Sequence, residues 1–157
     1  MRLGFRQVKG LREDDMTVLI SARKDLIKGI ADLLNIGLSK ATLKRLADAD
    51  AFRSIGLDRR EALWEISACN DHPTGIFSGQ TNVEEKVSLP VMKDAEHVVH
   101  DYAATSLSLK AHPVSFVREK LAQLHIISTN QLASLKDGDT VRVAGLVLVR
   151  QRPGTAK

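Results

Sequence analysis

The amino-acid sequence predicts a mainly α-helical fold that ends in a single strand, and three observations predict it. Apolar residues recur at helical spacing through the first 68 residues and again from Asp94. A glycine-centred turn stands directly before a helix at two places. Strict alternation is clearest in one run near the end, 141–150.

The first turn is Val8-Lys9-Gly10-Leu11-Arg12, and it leads into a helix expected over 13–23. Met16, Leu19, Ile20 and Arg23 share one face of that helix, with Arg23 at its fraying end. Glu13, Asp14 and Asp15 suit the positive end of its dipole. The turn returns as Leu34-Asn35-Ile36-Gly37-Leu38-Ser39-Lys40, with Gly37 in the place of Gly10 and Leu38 in that of Leu11. Ile27, Ile30, Ala31 and Leu34 mark the helix before it; Leu43, Leu46 and Ala47 mark the one after it, capped by Ser39. Beyond Ala51-Phe52 and a break at Gly56, Asp58-Arg59-Arg60-Glu61 forms a capping box. The helix it opens turns Ala62, Leu63 and Ile66 inward, and Trp64, one position off that stripe, is expected to cover the bundle edge rather than stack a base. Each helix has one apolar face, so these helices must pack on each other.

A tight glycine turn before a helix aims several amide N–H groups in one direction, which suits an anion. Two phosphate-sized cradles in tandem suggest a phosphodiester backbone more than a single nucleotide. The charge distribution agrees. Residues 1–60 hold 13 Lys/Arg against 8 Asp/Glu, residues 61–110 hold 3 against 8, and residues 111–157 hold 7 against 3. Positive charge clustered near such turns supplies salt-dependent affinity for phosphates without sequence preference. With 157 residues, 43% of them hydrophobic and 27% charged, the chain can bury a core and divide into one or two small domains. The lone cysteine, Cys69, excludes an internal disulfide framework, and the absence of a leader or long apolar run makes the cytoplasm the expected location.

Residues 69–93 have linker composition, interrupted by Ile76-Phe77. From Asp94 the helical period places Val98, Val99, Tyr102 and Ala103 on one side. His97 and His100 share a face near Asp101, but a metal site needs further converging ligands and the only thiol is remote. Solvated helix histidines are expected there. Pro113 fits the first turn of a further helix carrying Phe116, Val117 and Leu121, with His112 as its cap rather than a base. After the Lys136-Asp137-Gly138-Asp139 turn, Val141, Val143, Gly145, Val147 and Val149 line one face of a strand, and Arg142, Ala144, Leu146, Leu148 and Arg150 the other. Glycine at mid-strand allows the curvature that small barrels need.

The runs Arg2-Leu3-Gly4-Phe5-Arg6-Gln7-Val8-Lys9-Gly10-Leu11 and Ala51-Phe52-Arg53-Ser54-Ile55-Gly56-Leu57-Asp58-Arg59-Arg60 resemble the tandem helix-hairpin-helix region behind the polymerase core of bacterial C-family DNA polymerases. Lys110-Ala111-His112-Pro113 resembles the error-prone branch of that family, and 139–157 looks like the opening strand of the OB-fold that follows. The resemblance covers nearly the whole chain. It implies sequence-independent contact with double-stranded DNA through Lys9, Gly10 and Arg12 in the first hairpin and Gly37, Ser39 and Lys40 in the second. A common hairpin pattern has a second glycine two residues after the first, where Arg12 and Ser39 stand here. The five strands of an OB barrel cannot be completed by one, so an exposed apolar edge or a disordered tail is expected.

The expected organisation is therefore a tandem helix-hairpin-helix bundle over 1–68, a linker over 69–93, a helical connector over 94–135, and the first strand of an incomplete OB-fold over 136–157. The family's chemistry depends on metal-binding carboxylates upstream. No phosphate loop of the Gly-x-x-x-x-Gly-Lys kind occurs here, and the family's catalytic carboxylates are expected outside this chain, so no catalysis, metal or cofactor is expected in it. The leading expectation is the DNA-binding portion of an error-prone, damage-response polymerase. The alternative is a protein-interaction module that recruits polymerase subunits or accessory proteins, and Ile76 with Phe77 is the weak candidate for a sliding-clamp contact.

Overall fold

Apolar spacing is realised as four helices in the first half of the chain: α1 (Glu13–Ser21), α2 (Ile30–Asn35), α3 (Lys40–Asp48) and α4 (Arg59–Ala68). In this computed structural model, residues 4–22, 27–69, 88–147, 149–151 and 154 are described. Arg23, Ile76, Phe77 and Leu148 lie outside the described residues. Further on come α5 (Asp94–Thr105), α6 (Arg118–Gln123), and two short strands, β1 (Ile126–Ile127) and β2 (Arg142–Val143). The fold is mainly α, as the periodicity requires.

The helix starts are fixed by local chemistry. Ser39 accepts from the Thr42 amide at 3.2 Å and so caps α3. Asp58 accepts from the Glu61 amide at 2.9 Å while Glu61 accepts from the Asp58 amide at 3.0 Å, which closes the capping box of α4. Leu33, Leu38, Leu43, Leu46, Phe52 and Ile66 then meet in one apolar core with Met16 and Ile30. Burial of this set from water is the main force that holds α1 to α4 together.

The chain divides into two compact units, Met1–Leu109 and Lys110–Lys157. The sequence groups 94–135 as one connector, whereas the structure joins α5 to the first unit. The cause is electrostatic. Arg59, the first residue of α4, has a side chain with 0% exposure, and its Nη2 donates to Asp101 Oδ1 at 2.5 Å. Its Nη1 donates to the His97 carbonyl at 3.2 Å and faces His97 Nδ1 at 3.4 Å. A guanidinium can only donate, so this ring nitrogen serves as acceptor. The second oxygen of Asp101 accepts from Ser108 Oγ at 2.8 Å. On the surface beside this pair, Arg60 binds the Pro90 carbonyl at 2.7 Å and Glu96 at 3.0 Å.

That contact turns α5 part of the way round from the expected face, with Val98 buried as the periodicity predicts. The buried residues are His97, Val98, Asp101 and Thr105, while Val99 is 68% exposed. His97 is therefore not a solvated histidine, although His100 is exposed. A buried arginine must have hydrogen-bonding partners, and this need outweighs the modest burial of Val99 and Ala103.

In the second unit, Pro113 opens a 3-10 turn, Pro113–Val117, that runs into α6, and His112 Nδ1 accepts from the Val114 amide at 3.2 Å. The helix expected from Pro113 onward is thus part 3-10 and part α. The expected long strand is reduced to β2, which pairs in parallel with β1 in the register Ile126 with Arg142 and Ile127 with Val143. A strand needs a ladder partner, and β1 offers two residues. Val143, Leu146, Val147 and Val149 stay exposed, Val147 at 77%, as an open apolar edge requires.

Arg59→Ala should lower stability by about 3 kcal/mol, because it removes the buried cation that faces the Asp101 carboxylate. Urea denaturation followed by circular dichroism measures this, and a loss under about 1 kcal/mol would contradict the assigned role of the pair.

Candidate nucleic-acid interface

The second hairpin is built from the end of α2 and the start of α3. Gly37 sits at φ +94°, where a side chain would be strained. Its amide bonds the Leu34 carbonyl at 2.9 Å, and the Leu38 amide bonds the Leu33 carbonyl at 3.2 Å. These two bonds end α2 and turn the chain back on itself. Leu38 then enters the core and Ser39 caps α3. The first turn of α3 holds no acidic residue of its own, although Asp15 of α1 accepts from Thr42 there, and it carries Lys40 with the exposed Lys44 one turn on.

The same backbone recurs nineteen positions later in Ile55-Gly56-Leu57-Asp58. Gly56 has φ +85°, its amide bonds Arg53 at 3.1 Å, and the Leu57 amide bonds Phe52 at 3.3 Å. Here, however, Asp58 and Glu61 carry negative charge into the helix start and take up its amides. An anion finds no place there. The repeated Ile-Gly-Leu tripeptide is the signal for this third turn, which the apolar periodicity marks only as a break.

The first hairpin differs again. Gly10 is left-handed, at φ +73°, but the turn follows a single 3-10 turn, Phe5–Gln7, rather than an α-helix. Its hydrogen bonds go to α5: the Lys9 amide bonds the Ala104 carbonyl at 2.9 Å, and Gln7 Nε2 bonds the Thr105 carbonyl at 3.3 Å. Lys9 Nζ donates to the Ala103 carbonyl at 2.9 Å and to the Tyr102 carbonyl at 3.3 Å. The ammonium thus caps the negative end of α5. Arg12 is the N-cap residue of α1 and lies 3.7 Å from Asp14, with both side chains exposed.

The structure brings the two hairpins together. Thr42 Oγ1 donates to Asp15 Oδ2 at 2.6 Å, which joins the first turns of α1 and α3. Ser39 Oγ lies 3.0 Å from the same hydroxyl. Lys40 Nζ reaches the Ser67 carbonyl near the end of α4 over 3.4 Å, a long single contact. Of the six residues expected to touch DNA, Gly37, Ser39 and Lys40 form one turn, Gly10 and Arg12 form another, and Lys9 points to α5. Trp64, expected to cover the bundle edge, is 51% exposed. Near Lys40, burial pushes the Cys69 thiol above its ordinary pKa, the Lys40 ammonium pulls it down, and Glu65 pushes it up.

Among the described residues, no three His, Cys, Asp or Glu side chains converge as metal ligands, and no helix is long and apolar enough to cross a membrane. His97 and Asp101 instead face Arg59.

The left-handed glycine turns at Gly37 and Gly56, each between helical segments and each followed by a capped helix, are the features of helix-hairpin-helix motifs. The helix-hairpin-helix motif family matches residues 1–62. Over its whole length the chain is homologous to a segment of proteins named error-prone DNA polymerase. It is 50% identical over 165 residues to error-prone DNA polymerase 1 of Rhizobium meliloti, covering 99% of this chain and 15% of that protein. It is 48% identical over 163 residues to the error-prone DNA polymerase of Caulobacter vibrioides, covering 100% of this chain and 15% of that protein. The Brucella abortus protein of the same name is 40% identical over 163 residues, with the same coverage. The chain thus spans about 15% of the length of the curated relatives it matches. No solved structure matches.

Gly37→Ala should cost about 1–2 kcal/mol of stability from backbone strain alone, since nothing lies within 4 Å of the added methyl. Thermal melting reads the loss, and an unchanged midpoint would contradict the left-handed turn. Lys40→Met should raise the pKa of the Cys69 thiol further, because it removes the charge that lowers it. The pH dependence of iodoacetamide alkylation reads this, and an unmoved midpoint would place Lys40 elsewhere.

Proposed function

We propose that this chain is a DNA-binding, non-catalytic segment of an error-prone DNA polymerase, and that it grips duplex DNA by its phosphates. Its setting is the cytoplasm, and nucleotidyl transfer belongs to parts of such a polymerase outside this chain. The observation that carries the reading is the Gly37 hairpin: a left-handed turn opens α3, whose first turn has no acid and which bears Lys40 and Lys44. Backbone amides and the helix dipole attract a phosphate oxygen there, while the lysines add affinity that every sequence shares. The homology to error-prone DNA polymerases along the whole chain supports the same reading. Gly37, Ser39 and Lys40 form the primary contact in this account, with Gly10 and Arg12 beside them. Lys9 serves chiefly to hold α5.

A second reading is favoured by one observation. Leu124, Val143, Val147 and Val149 of the second unit are exposed, which suits a protein partner such as a polymerase subunit or accessory protein. Salt separates the two readings, because phosphate contacts release counterions and apolar contacts do not.

With about four phosphates neutralised, log K for a short random-sequence duplex should fall with log salt at a slope of roughly −3 to −4, and Kd should be on the order of 10⁻⁴ to 10⁻⁶ M. Fluorescence anisotropy at several salt concentrations measures both. Lys40→Glu should weaken binding and flatten the slope. Absence of binding at low salt, or binding indifferent to salt, would overturn the proposal in favour of a protein partner.

A further inference from the structure

The Gly10 turn carries a cation that the hairpin pattern does not supply. Arg45, in the last turn of α3, lays its guanidinium across this glycine: a Cβ at Gly10 would lie 3.1 Å from Arg45 Nε and 3.4 Å from Cζ. The side chain of Arg45 is exposed, and among the described residues it makes no hydrogen bond or ion pair. The lysine of the turn itself is committed elsewhere, with two of its three ammonium donors on the carbonyls of Tyr102 and Ala103.

We propose that Arg45, not Lys9, is the residue through which the first hairpin holds a DNA phosphate. The inference rests on the DNA-binding reading above. Three features support it. The Thr42–Asp15 bond fixes α3 against the start of α1, so Arg45 is held beside the Gly10 turn while its five donors remain available. The glycine leaves room for the guanidinium to lie against the backbone, which any side chain would crowd. The six residues from Lys40 to Arg45 rise about 7.5 Å over five steps, so Lys40, Lys44 and Arg45 form a cationic strip that winds part of the way round α3 between the two hairpins. A planar guanidinium can engage two oxygens of one phosphate, which an ammonium cannot do as a fork.

The strip also answers an electrostatic difficulty. Glu13, Asp14 and Asp15 crowd the start of α1, where an anion would be repelled. Arg12 lies close to Asp14, and Asp15 accepts from Thr42. Arg45 then supplies positive charge next to the turn from a neighbouring helix.

The test is anisotropy of the full chain with a random-sequence duplex at several salt concentrations, for the unaltered chain, Arg45→Met, Arg45→Lys and Lys9→Met. Arg45→Met should lose about 0.9 of the log–log salt slope, one phosphate's worth, at every duplex sequence, with an unchanged melting temperature. Arg45→Lys should restore the slope, and Lys9→Met should keep it while lowering the melting temperature. Arg45→Gln repeats the test if the Met variant melts early. A slope unchanged in both Arg45→Met and Arg45→Gln, or lost in Lys9→Met instead, overturns the assignment while leaving DNA binding intact. No binding by the unaltered chain overturns both.

Discussion

The first unit is organised around the need to satisfy one buried guanidinium. Arg59 enters the core as part of the helix start that Asp58 and Glu61 cap, and once there it must have oxygen acceptors. Asp101 and the His97 carbonyl provide them, and both lie on α5. The position of α5 is set by this demand. Its C-terminal carbonyls then meet the Gly10 turn, and Lys9 and Gln7 are drawn onto them. A charge buried in α4 thereby decides which carbonyls hold the Lys9 ammonium.

One backbone device serves three ends in this chain. Gly10, Gly37 and Gly56 are all left-handed, each precedes a leucine, and each leads to an N-cap residue two positions on. The residues just after the leucine set the chemistry. Ser39 with Lys40 makes a helix start with no acid of its own, Asp58 with Glu61 makes a sealed one, and Arg12 precedes one that carries three acids. Electrostatics at the helix start, more than turn geometry, separates a phosphate cradle from a plain corner.

Much of the fold is legible in the chain because it is local. The caps at Ser39 and His112, the capping box at Asp58, and the turn at Gly37 all depend on residues within a few positions of each other. The features that escape a sequence reading depend on distant partners. Arg59 looks like a surface residue of a capping box until Asp101, 42 positions away, meets it. For the same reason periodicity alone makes His97 solvated and Val99 buried, since an apolar stripe signals burial only when no charge competes for the interface. The run over 141–150 has the right alternation but, among the described residues, pairs only with Ile126 and Ile127. Alternation states which faces a strand would have, and a partner decides whether it forms.

The most direct measurement is a titration of the isotopically labelled chain with a short random-sequence duplex, followed by amide nuclear magnetic resonance. If the hairpin faces hold phosphates, the amides of Gly37 to Ala41 should shift first and furthest, with smaller shifts at Gly10 and Leu11. The amides at Gly56 to Arg60, whose helix start is sealed by its own acids, should stay unmoved. Shifts confined to α5, α6 or the strands, with the Gly37 turn silent at saturating duplex, would contradict the account.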